Sequence, residues 1–333
     1  MTQTSKPRVR RSNGDYRGIL VIGDPHIEGR QPGFRCDDYP RTILGKLAWC
    51  LRYAANQRLL PVITGDLFER PRDNPTWIVG ELIDLMIGQE VIGIYGNHDC
   101  AGTGLDEHDT LSILVKTGCY RLVDEEAPWI GEMNHRTVLI GGTSWRRHVP
   151  RHVTLPANRT LLAARPLVIW LTHHDVDLPG YDAGRFAPFE IENVDLVING
   201  HIHRGLPAAC HGHTSWLTPG NISRRSRSEA IRDHIPSVLR IDIEPDHWTQ
   251  QMIRVPHQAA ESVFHAVAGP DREDQQLTSR FVDGLRELQL RRTDSGAGLH
   301  QFLDRNLDQF PPPVAGEIRE LARLVTEQEK IDD

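Results

Sequence analysis

The sequence predicts an α/β fold with two sheets and a helical C-terminal extension, and three observations lead to this prediction. Short β-branched, apolar runs alternate with amphipathic helical stretches over residues 17–200, which is the pattern of α/β architecture. Three more strand-like runs then follow with only turns between them, which indicates a second, partly antiparallel sheet. Beyond Pro256 the strand pattern stops and helical stretches remain.

Nine runs have the length and composition of strands, and most of them end abruptly in Gly, Asp, Asn or His. They are Gly18–Gly23, Leu59–Gly65, Glu90–Gly96, Thr137–Gly142, Leu167–Thr172, Val194–Gly200, Ser215–Thr218, Ser237–Ile243 and Trp248–Val255. Helices with one apolar face are predicted at Tyr39–Gln57 and Pro75–Ile87.

The ends of the chain differ in composition from the part between them. Residues 1–16 are polar and basic without a hydrophobic period, so we expect a flexible N-terminal tail before a domain over residues 17–255. Residues 256–333 form the predicted helical extension. Its helices are expected at Leu277–Leu290 and Val314–Lys330, separated by the prolines 311–313.

Composition limits the possible classes of protein. With 333 residues, 39% of them hydrophobic, the chain is long enough for a substantial core. It has no run of roughly 20 apolar residues and no apolar signal-peptide segment, so we expect a cytoplasmic protein without membrane association. Five scattered cysteines without a C-x-x-C pair argue against a disulfide framework or zinc knuckle. The net charge of −7 means that nucleic-acid binding would require local basic patches.

Five polar segments follow predicted strands, where the carboxyl ends of strands converge on one rim of a sheet. They are Gly23-Asp24-Pro25-His26, Gly65-Asp66, Gly96-Asn97-His98-Asp99, His173-His174-Asp175 and Asn199-Gly200-His201-Ile202-His203. The Asp-x-His and His-x-His spacings place both side chains on one side of an extended segment. Oxygen and imidazole ligands without cysteine suit Mn²⁺, Fe²⁺ or Zn²⁺. Two ions about 3.5–4 Å apart need a bridging carboxylate, and Asp66 is the natural candidate.

These segments resemble the signature of the calcineurin-like metallophosphoesterase superfamily, which is D-x-H, G-D, G-N-H-[DE], a later His and G-H-x-H. The resemblance implies a four-layer α-β-β-α sandwich of two mixed sheets flanked by helices. It also implies two divalent metal ions, with Mn²⁺ preferred and Fe²⁺ or Zn²⁺ as alternatives. The implied ligands are Asp24, His26, Asp66 and His203 for metal one, and Asp66, Asn97, His173 and His201 for metal two.

The fourth segment leaves a choice between neighbours, because both His173 and His174 follow the strand. We assign His173 as the ligand and keep His174 as a substrate-facing residue. The implied reaction is in-line attack of hydroxide on phosphorus, with protonated His98 supplying a proton to the departing alkoxide. Asp99 is the candidate for orienting His98. A degenerate, non-catalytic site is the alternative, and five intact segments speak against it.

Two basic segments are candidates for contact with phosphate. We predict that Arg224 and Arg225, in the stretch that follows Pro219-Gly220, bind substrate; a structural turn with exposed charge is the alternative. A second basic loop is equally compatible with phosphate contact and with a solvated surface. Its members are Arg146, Arg147, His148, Arg151 and His152.

The layout of the whole chain resembles the DNA repair exonuclease branch, which includes the nuclease subunit of bacterial SbcCD complexes and related phage proteins. This resemblance implies a DNA nuclease or exonuclease with an SbcC-type coiled-coil ATPase as partner, bound through the C-terminal extension. A homodimer is a further expectation. The alternative is a small-molecule phosphodiesterase or phosphatase, acting for instance on cyclic nucleotides, and the acidic net charge favours it.

Overall fold

The computed structural model of the chain describes residues 15–32, 35–155, 165–179, 181, 184–225, 234–265, 303, 307 and 310–328. Its strands are β1 (Gly18–Ile22), β2 (Leu59–Ile63), β3 (Ile92–Gly93), β4 (Arg121–Leu122), β5 (Trp129–Met133), β6 (Arg136–Thr143), β7 (Leu167–Thr172), β8 (Leu196–Asn199), β9 (Gly205–His211), β10 (Thr214–Pro219), β11 (Ser237–Ile243) and β12 (Trp248–Arg254). Its helices are α1 (Tyr39–Asn56), α2 (Thr76–Met86), α3 (Thr110–Lys116), α4 (Ala260–Val263) and α5 (Pro312–Gln328).

The strands form two mixed sheets of six strands each. The first sheet has the order β12-β11-β1-β2-β3-β4, in which β1 to β4 are parallel and β11 is antiparallel to both of its neighbours. The second has the order β5-β6-β7-β8-β10-β9, with β6, β7, β8 and β10 parallel and an antiparallel strand at each edge. Both sheets therefore have a parallel centre whose strands share one carboxyl rim.

The central core lies between the sheets. In β1, Ile19 and Val21 belong to a buried cluster with residues of β6, β7 and β8, such as Ile169. The intervening Leu20 and Ile22 belong to a different cluster with the helices α1 and α2. This alternation is the period of a strand that is buried on both faces.

The two outer faces are covered differently in the described part of the chain. Helices α1, α2 and α3 bury the outer face of the first sheet. The outer face of the second sheet, with Trp170 and Trp216, packs against residues of the segments 149–155 and 176–194. The predicted α/β fold of two mixed sheets with flanking helices is confirmed.

Several boundaries differ from the predictions for physical reasons. Helix α5 begins at Pro312 instead of after the prolines, because proline is well tolerated in the first turn of a helix. The edge strand β9 was not predicted, since it is mostly exposed and lacks an apolar pattern. The predicted helix Leu277–Leu290 and the predicted tail up to residue 14 lie outside the described residues. No helix in the described part is both long and apolar enough to cross a bilayer.

A buried lysine ties α1 to the segment that follows β10. Lys46 is 7% exposed, and its Nζ donates a hydrogen bond to the carbonyl oxygen of Ile222 at 2.9 Å. Burial, and then the charges of Arg35 and Arg224, lower the pKa of Lys46 to about 7. The folded chain therefore holds a proton on this amine much less tightly than the unfolded chain does.

This difference predicts how stability depends on pH. Between pH 7 and the ordinary lysine pKa of 10.5, the unfolded chain binds the Lys46 proton and the folded chain releases it, so stability rises with pH. Lys46→Met removes this contribution. Urea unfolding at several pH values should show the wild type gaining stability over the variant by up to about 1.4 kcal/mol per pH unit. A difference that stays constant between pH 7 and 10 would contradict the prediction.

Candidate metal centre

The predicted ligands meet where the carboxyl rims of the two sheets face each other. The first sheet supplies Asp24 and His26 after β1, Asp66 after β2 and Asn97 beyond β3. The second sheet supplies three further ligand candidates, which follow β7 and β8 and are His173, His201 and His203. The cluster is buried: Asp24, His26 and His173 are fully inaccessible to solvent.

The backbone is strained at the ligands themselves. Four non-glycine residues of the cluster have positive φ angles, namely Asp24 (33°), His26 (48°), Asp66 (48°) and His201 (68°). Such conformations cost about 1 kcal/mol or more each and persist where the surroundings impose them. Each turns the chain sharply as it leaves a strand, so that its side chain reaches the rim.

Backbone hydrogen bonds hold the first two ligand loops together beyond the ends of their strands. The N–H groups of His26 and Ile27 donate to the carbonyl oxygens of Asp66 and Leu67 at 2.9 and 2.8 Å. The N–H of Glu69 returns a bond to the carbonyl of Ile27 at 2.9 Å. These bonds fix the spacing between the first and second ligand segments.

Two glycines are required because the ligands approach the backbone closely. A Cβ atom at position 96 would lie 2.1 Å from Oδ1 of Asp66. Gly65 has a φ of +97°, and a Cβ there would lie 2.6 Å from Nδ1 of His173. The glycines of the G-D and G-N-H-D segments thus make room for the carboxylate and for one imidazole.

The ligand atoms form two groups that share one carboxylate. Asp24, His26, Asp66 and His203 form one group, and Asp66, His173 and His201 form the other, each with its ligand atoms within 4.8 Å of one another. Nε2 of His26 lies 2.9 Å from Nε2 of His203 and 3.7 Å from Oδ2 of Asp66. Nε2 of His173 lies 3.2 Å from the same Oδ2 atom. Asp66 therefore belongs to both groups and would contact both ions if each group held one.

Three imidazoles are oriented by acceptors on the side away from the cluster. The pairs are His26 Nδ1 with Glu69 Oε2 at 2.9 Å, His173 Nδ1 with the Thr64 carbonyl at 2.7 Å, and His201 Nε2 with Asp175 Oδ1 at 2.9 Å. An N–H on each outer nitrogen faces these acceptors, and in the neutral form of each ring the inner nitrogen is then a lone-pair donor. The tautomers that suit metal binding are thus favoured by the protein.

The inner nitrogens face other acceptors. Nδ1 of His201 and Nε2 of His173 lie 3.0 and 3.1 Å from Oδ1 of Asn97. Lone pairs that converge at this distance repel one another unless a cation or a proton lies between them. The donor set of carboxylates, one amide and imidazoles fits borderline divalent cations, as the sequence predicted.

The charges of the cluster also indicate that it binds divalent cations. The Oδ2 atoms of Asp24 and Asp66 are buried and have no hydrogen-bond partner among the described residues. Burial raises the pKa of Asp24 to about 7. Burial alone would also raise the pKa of Asp66, but the charge of His173 lowers it well below its usual value. Buried carboxylate oxygens without hydrogen bonds are costly unless counter-charges balance them, and divalent cations would supply such charge.

The structure brings His173, and not His174, to the cluster. The ring of His174 lies on the outer side, where its Nε2 is 2.8 Å from the carbonyl oxygen of Arg147. Its Nδ1 accepts a hydrogen bond from the N–H of His173 at 3.2 Å. The predicted substrate-facing role of His174 therefore has a simpler physical alternative, which is to support the loop that carries Arg147.

His98 and Asp99 are adjacent, but they have different partners. Nδ1 of His98 is 2.8 Å from the carbonyl oxygen of Glu69, and its backbone N–H donates to Asp66 at 2.8 Å. Within the described residues, the fully buried carboxylate of Asp99 accepts its hydrogen bonds from backbone N–H groups. These donors are Gly96 at 2.9 Å, Phe68 at 3.0 Å and Leu67 at 3.3 Å. The expectation that Asp99 orients His98 is therefore corrected, since Asp99 joins two ligand loops and Glu69 holds His98.

The arginines predicted to bind substrate are engaged inside the protein. Arg224 is 5% exposed, and it donates to the backbone carbonyl oxygens of Gln258, at 3.1 Å, and of His234. Arg225 pairs with Glu28 at 2.9 Å and with Glu69 at 2.7 Å. Both side chains therefore fit the alternative of a structural turn, although Arg224 is buried and Arg225 only partly exposed, instead of both being exposed.

Sequence reasoning missed Glu69 and Asp175 as supports for metal ligands. Glu69 contacts His26 and Arg225 and lies 3.6 Å from Nδ1 of His98. Burial alone would raise its pKa, but the hydrogen bond from His26 and neighbouring cations lower the pKa of Glu69 to about 2. The available signal was an acidic residue shortly after a ligand segment, which is too common in loops to be informative alone.

Comparison with known families agrees with this geometry. The model of the calcineurin-like phosphoesterase family matches residues 18–205, which is more than half of the chain. The chain belongs to this family. The predicted superfamily is thereby confirmed, and with it a hydrolase acting on phosphoester bonds with a candidate site for divalent metals.

Solved structures that are similar to the chain include three proteins of low sequence identity. A hypothetical protein from Thermus thermophilus is 14% identical, with a TM-score of 0.40, 72% of this chain covered and 99% of the other. A conserved uncharacterized protein from Streptococcus pneumoniae, described as a predicted phosphoesterase, is 15% identical (TM-score 0.32; 74% and 93% covered). Vps29 of Chaetomium thermophilum is 12% identical (TM-score 0.29; 73% and 98% covered). None of the curated proteins matches the chain.

The contact between Glu69 and His26 predicts a defect in metal affinity. Glu69→Gln keeps the shape of the side chain but removes the charge that favours the N–H of His26 on its outer nitrogen. Loss of such a supporting carboxylate costs about 10–100-fold in metal affinity. Titration of the metal-free protein with Mn²⁺, followed by calorimetry, should show this weakening, whereas Glu132→Gln at the exposed far end of β5 should bind as the wild type does. Unchanged affinity in Glu69→Gln would show that His26 does not depend on Glu69.

Proposed function

We propose that the chain is a two-metal phosphodiester hydrolase that cleaves DNA. The observation that carries the hydrolase part is the position of Asp66, whose buried carboxylate is common to both groups of ligand atoms. Phosphoester hydrolysis with two ions requires such a bridge, since both ions act on the same phosphoryl group. Family membership supports the reaction class.

The proposed ligand sets follow the two groups. Metal one would be held by Asp24, His26, Asp66 and His203, and metal two by Asp66, Asn97, His173 and His201. When bound, the two cations neutralise charge on the phosphoryl oxygens and make water a better nucleophile at neutral pH. We propose Mn²⁺ as the metal, with Fe²⁺ or Zn²⁺ as alternatives that the same ligands accept.

His98 is the proposed general acid. Its side chain is 13% exposed, so it lies at the mouth of the buried cluster. Because Nδ1 is held at 2.8 Å by the carbonyl of Glu69, the N–H on that side is fixed and Nε2 is the nitrogen left to carry a transferable proton. The backbone N–H of His98 donates to Asp66, which couples the position of the acid to the bridging carboxylate.

DNA is proposed as the substrate because the chain resembles the repair exonuclease branch in its layout. In that branch a coiled-coil ATPase of the SbcC type binds the C-terminal extension, and we propose the same for residues 256–333. Helix α5 supports this proposal, since it exposes Val314 (45%) and Leu321 (58%). A homodimer and a cytoplasmic location remain predictions.

A small-molecule phosphodiesterase is the second candidate. Two observations favour it, namely the net charge of −7 and the engagement of Arg224 and Arg225 with protein groups. Hydrolysis of linear single-stranded and duplex DNA, bis-p-nitrophenyl phosphate and cyclic AMP should be compared in the presence of Mn²⁺. Cleavage of the two small esters without cleavage of either DNA would reject the nuclease proposal and keep the hydrolase.

The acid role of His98 predicts a loss of turnover without a loss of metal. His98→Ala should bind two equivalents of Mn²⁺ and lower kcat by about 10²–10⁴-fold, the range for a general acid. The loss should be smaller for bis-p-nitrophenyl phosphate, whose nitrophenolate leaves without protonation. His247→Ala, in the exposed hairpin at the opposite end of β1, is the control. Full activity of His98→Ala on DNA would remove His98 from the mechanism.

A further inference from the structure

The turn that follows β6 lies on the same rim as the metal centre. Strand β6 is parallel to β7, so the carboxyl ends of both strands point the same way. The turn comprises residues 144–148. Ser144 and Trp145 are buried within it, whereas Arg146, Arg147 and His148 are exposed.

Several contacts hold the turn against the second group of ligand atoms, which comprises Asp66, His173 and His201. The indole of Trp145 stacks on the ring of His201, with centroids 5.1 Å apart and an interplanar angle of 27°. The N–H of Trp145 donates to the carbonyl of Tyr95 at 3.2 Å, and the hydroxyl of Ser144 accepts from the N–H of Tyr95 at 3.3 Å. The N–H of Arg147 donates to the carbonyl of Ser144 at 3.1 Å, which closes the turn.

His174 fixes the turn from the other side. Its Nδ1 accepts from the backbone of His173, which leaves the N–H on Nε2 to donate to the carbonyl of Arg147 at 2.8 Å. The imidazole of His174 thus connects the arginine turn to His173, a predicted ligand of the second metal.

The side chain of Arg147 is presented to solvent in a defined geometry. Nε of Arg147 donates to the hydroxyl of Tyr95 at 3.3 Å, which orients the guanidinium. Its outer nitrogen lies 3.3 Å from the position of a Cβ atom at Gly104, so the side chain extends over the loop that follows Asn97. Arg146 has a φ of +61°, a strained backbone conformation on the same rim as the ligand segments.

We propose that the turn of residues 144–148 is a subsite for a second phosphate, the one next to the scissile phosphate in a DNA strand. The proposal rests on the proposed function of DNA cleavage. Guanidinium groups bind phosphate oxygens through paired hydrogen bonds, and Arg146 and Arg147 supply two such groups on the turn that packs against His201. A chain of net charge −7 needs a local patch of this kind to bind a polyanion. A diester with a single phosphate has no group for this subsite.

The experiment compares a substrate with many phosphates and a substrate with one. The variant Arg146→Gln/Arg147→Gln and the control Arg165→Gln, at the amino end of β7, are assayed with Mn²⁺ on a short single-stranded DNA and on bis-p-nitrophenyl phosphate. We expect the double variant to raise KM for DNA about tenfold and to lower the ratio of the two kcat/KM values at least fivefold. The salt dependence of KM for DNA should lose about 0.7 in logarithmic slope for each phosphate contact removed. The control should leave both substrates unchanged.

Each other outcome overturns the subsite or the function separately. Equal losses on both substrates, or no loss on DNA, would reject the subsite and keep the hydrolase. If the wild type hydrolyses neither substrate, the proposed function fails, and fluorescence anisotropy with the same DNA decides the subsite; equal affinity of wild type and variant rejects it. Thermal unfolding and Mn²⁺ content verify that the variant is folded. Should it not fold, Arg147→Gln alone is assayed, with a threefold rise in KM for DNA as the threshold.

Discussion

The burial of two carboxylates with too few protein partners is the constraint on which the rest of this structure depends. Asp24 and Asp66 are buried in the metal centre, and each has one oxygen atom that lacks a hydrogen bond in the described part of the chain. Placing them there requires strained backbone at the ends of β1 and β2 and close approach of glycine to carboxylate. The energy lost in this arrangement is offset by the sandwich, whose two sheets enclose a continuous apolar core.

Around the ligands lies a further set of charges that is almost fully paired. Glu69 forms ion pairs with His26 and Arg225, and Arg225 also pairs with Glu28. These contacts join the loops after β1, β2 and β10, which are far apart in the sequence. The electrostatics of the centre are therefore a property of the whole rim, because removing one partner leaves another buried charge without compensation.

The ligands could be predicted from sequence because their signal is local. Asp24 and His26, or His201 and His203, each stand at a spacing of two residues after an apolar strand, and strand ends of a parallel sheet meet at one rim. The partners of Asp99 and Arg224 could not be predicted, since their hydrogen bonds go to backbone groups of distant loops. A basic run gives no indication of whether its charges face solvent or buried carbonyl oxygens.

The His-x-His spacing after β8 limits the insertions and deletions that the strand can accept. The pairing of β7 with β8 aligns Thr172 with Asn199 and continues to the N–H of Gly200. A slip of one residue in this register would present Ile202 where the histidines now stand, and would also exchange the side chains of β8 between the two differently shaped cores on its faces. Insertions and deletions in β8 are therefore opposed by two independent requirements, whereas the hairpin between β11 and β12, at the end of the other sheet that lies away from the metal centre, carries no ligand.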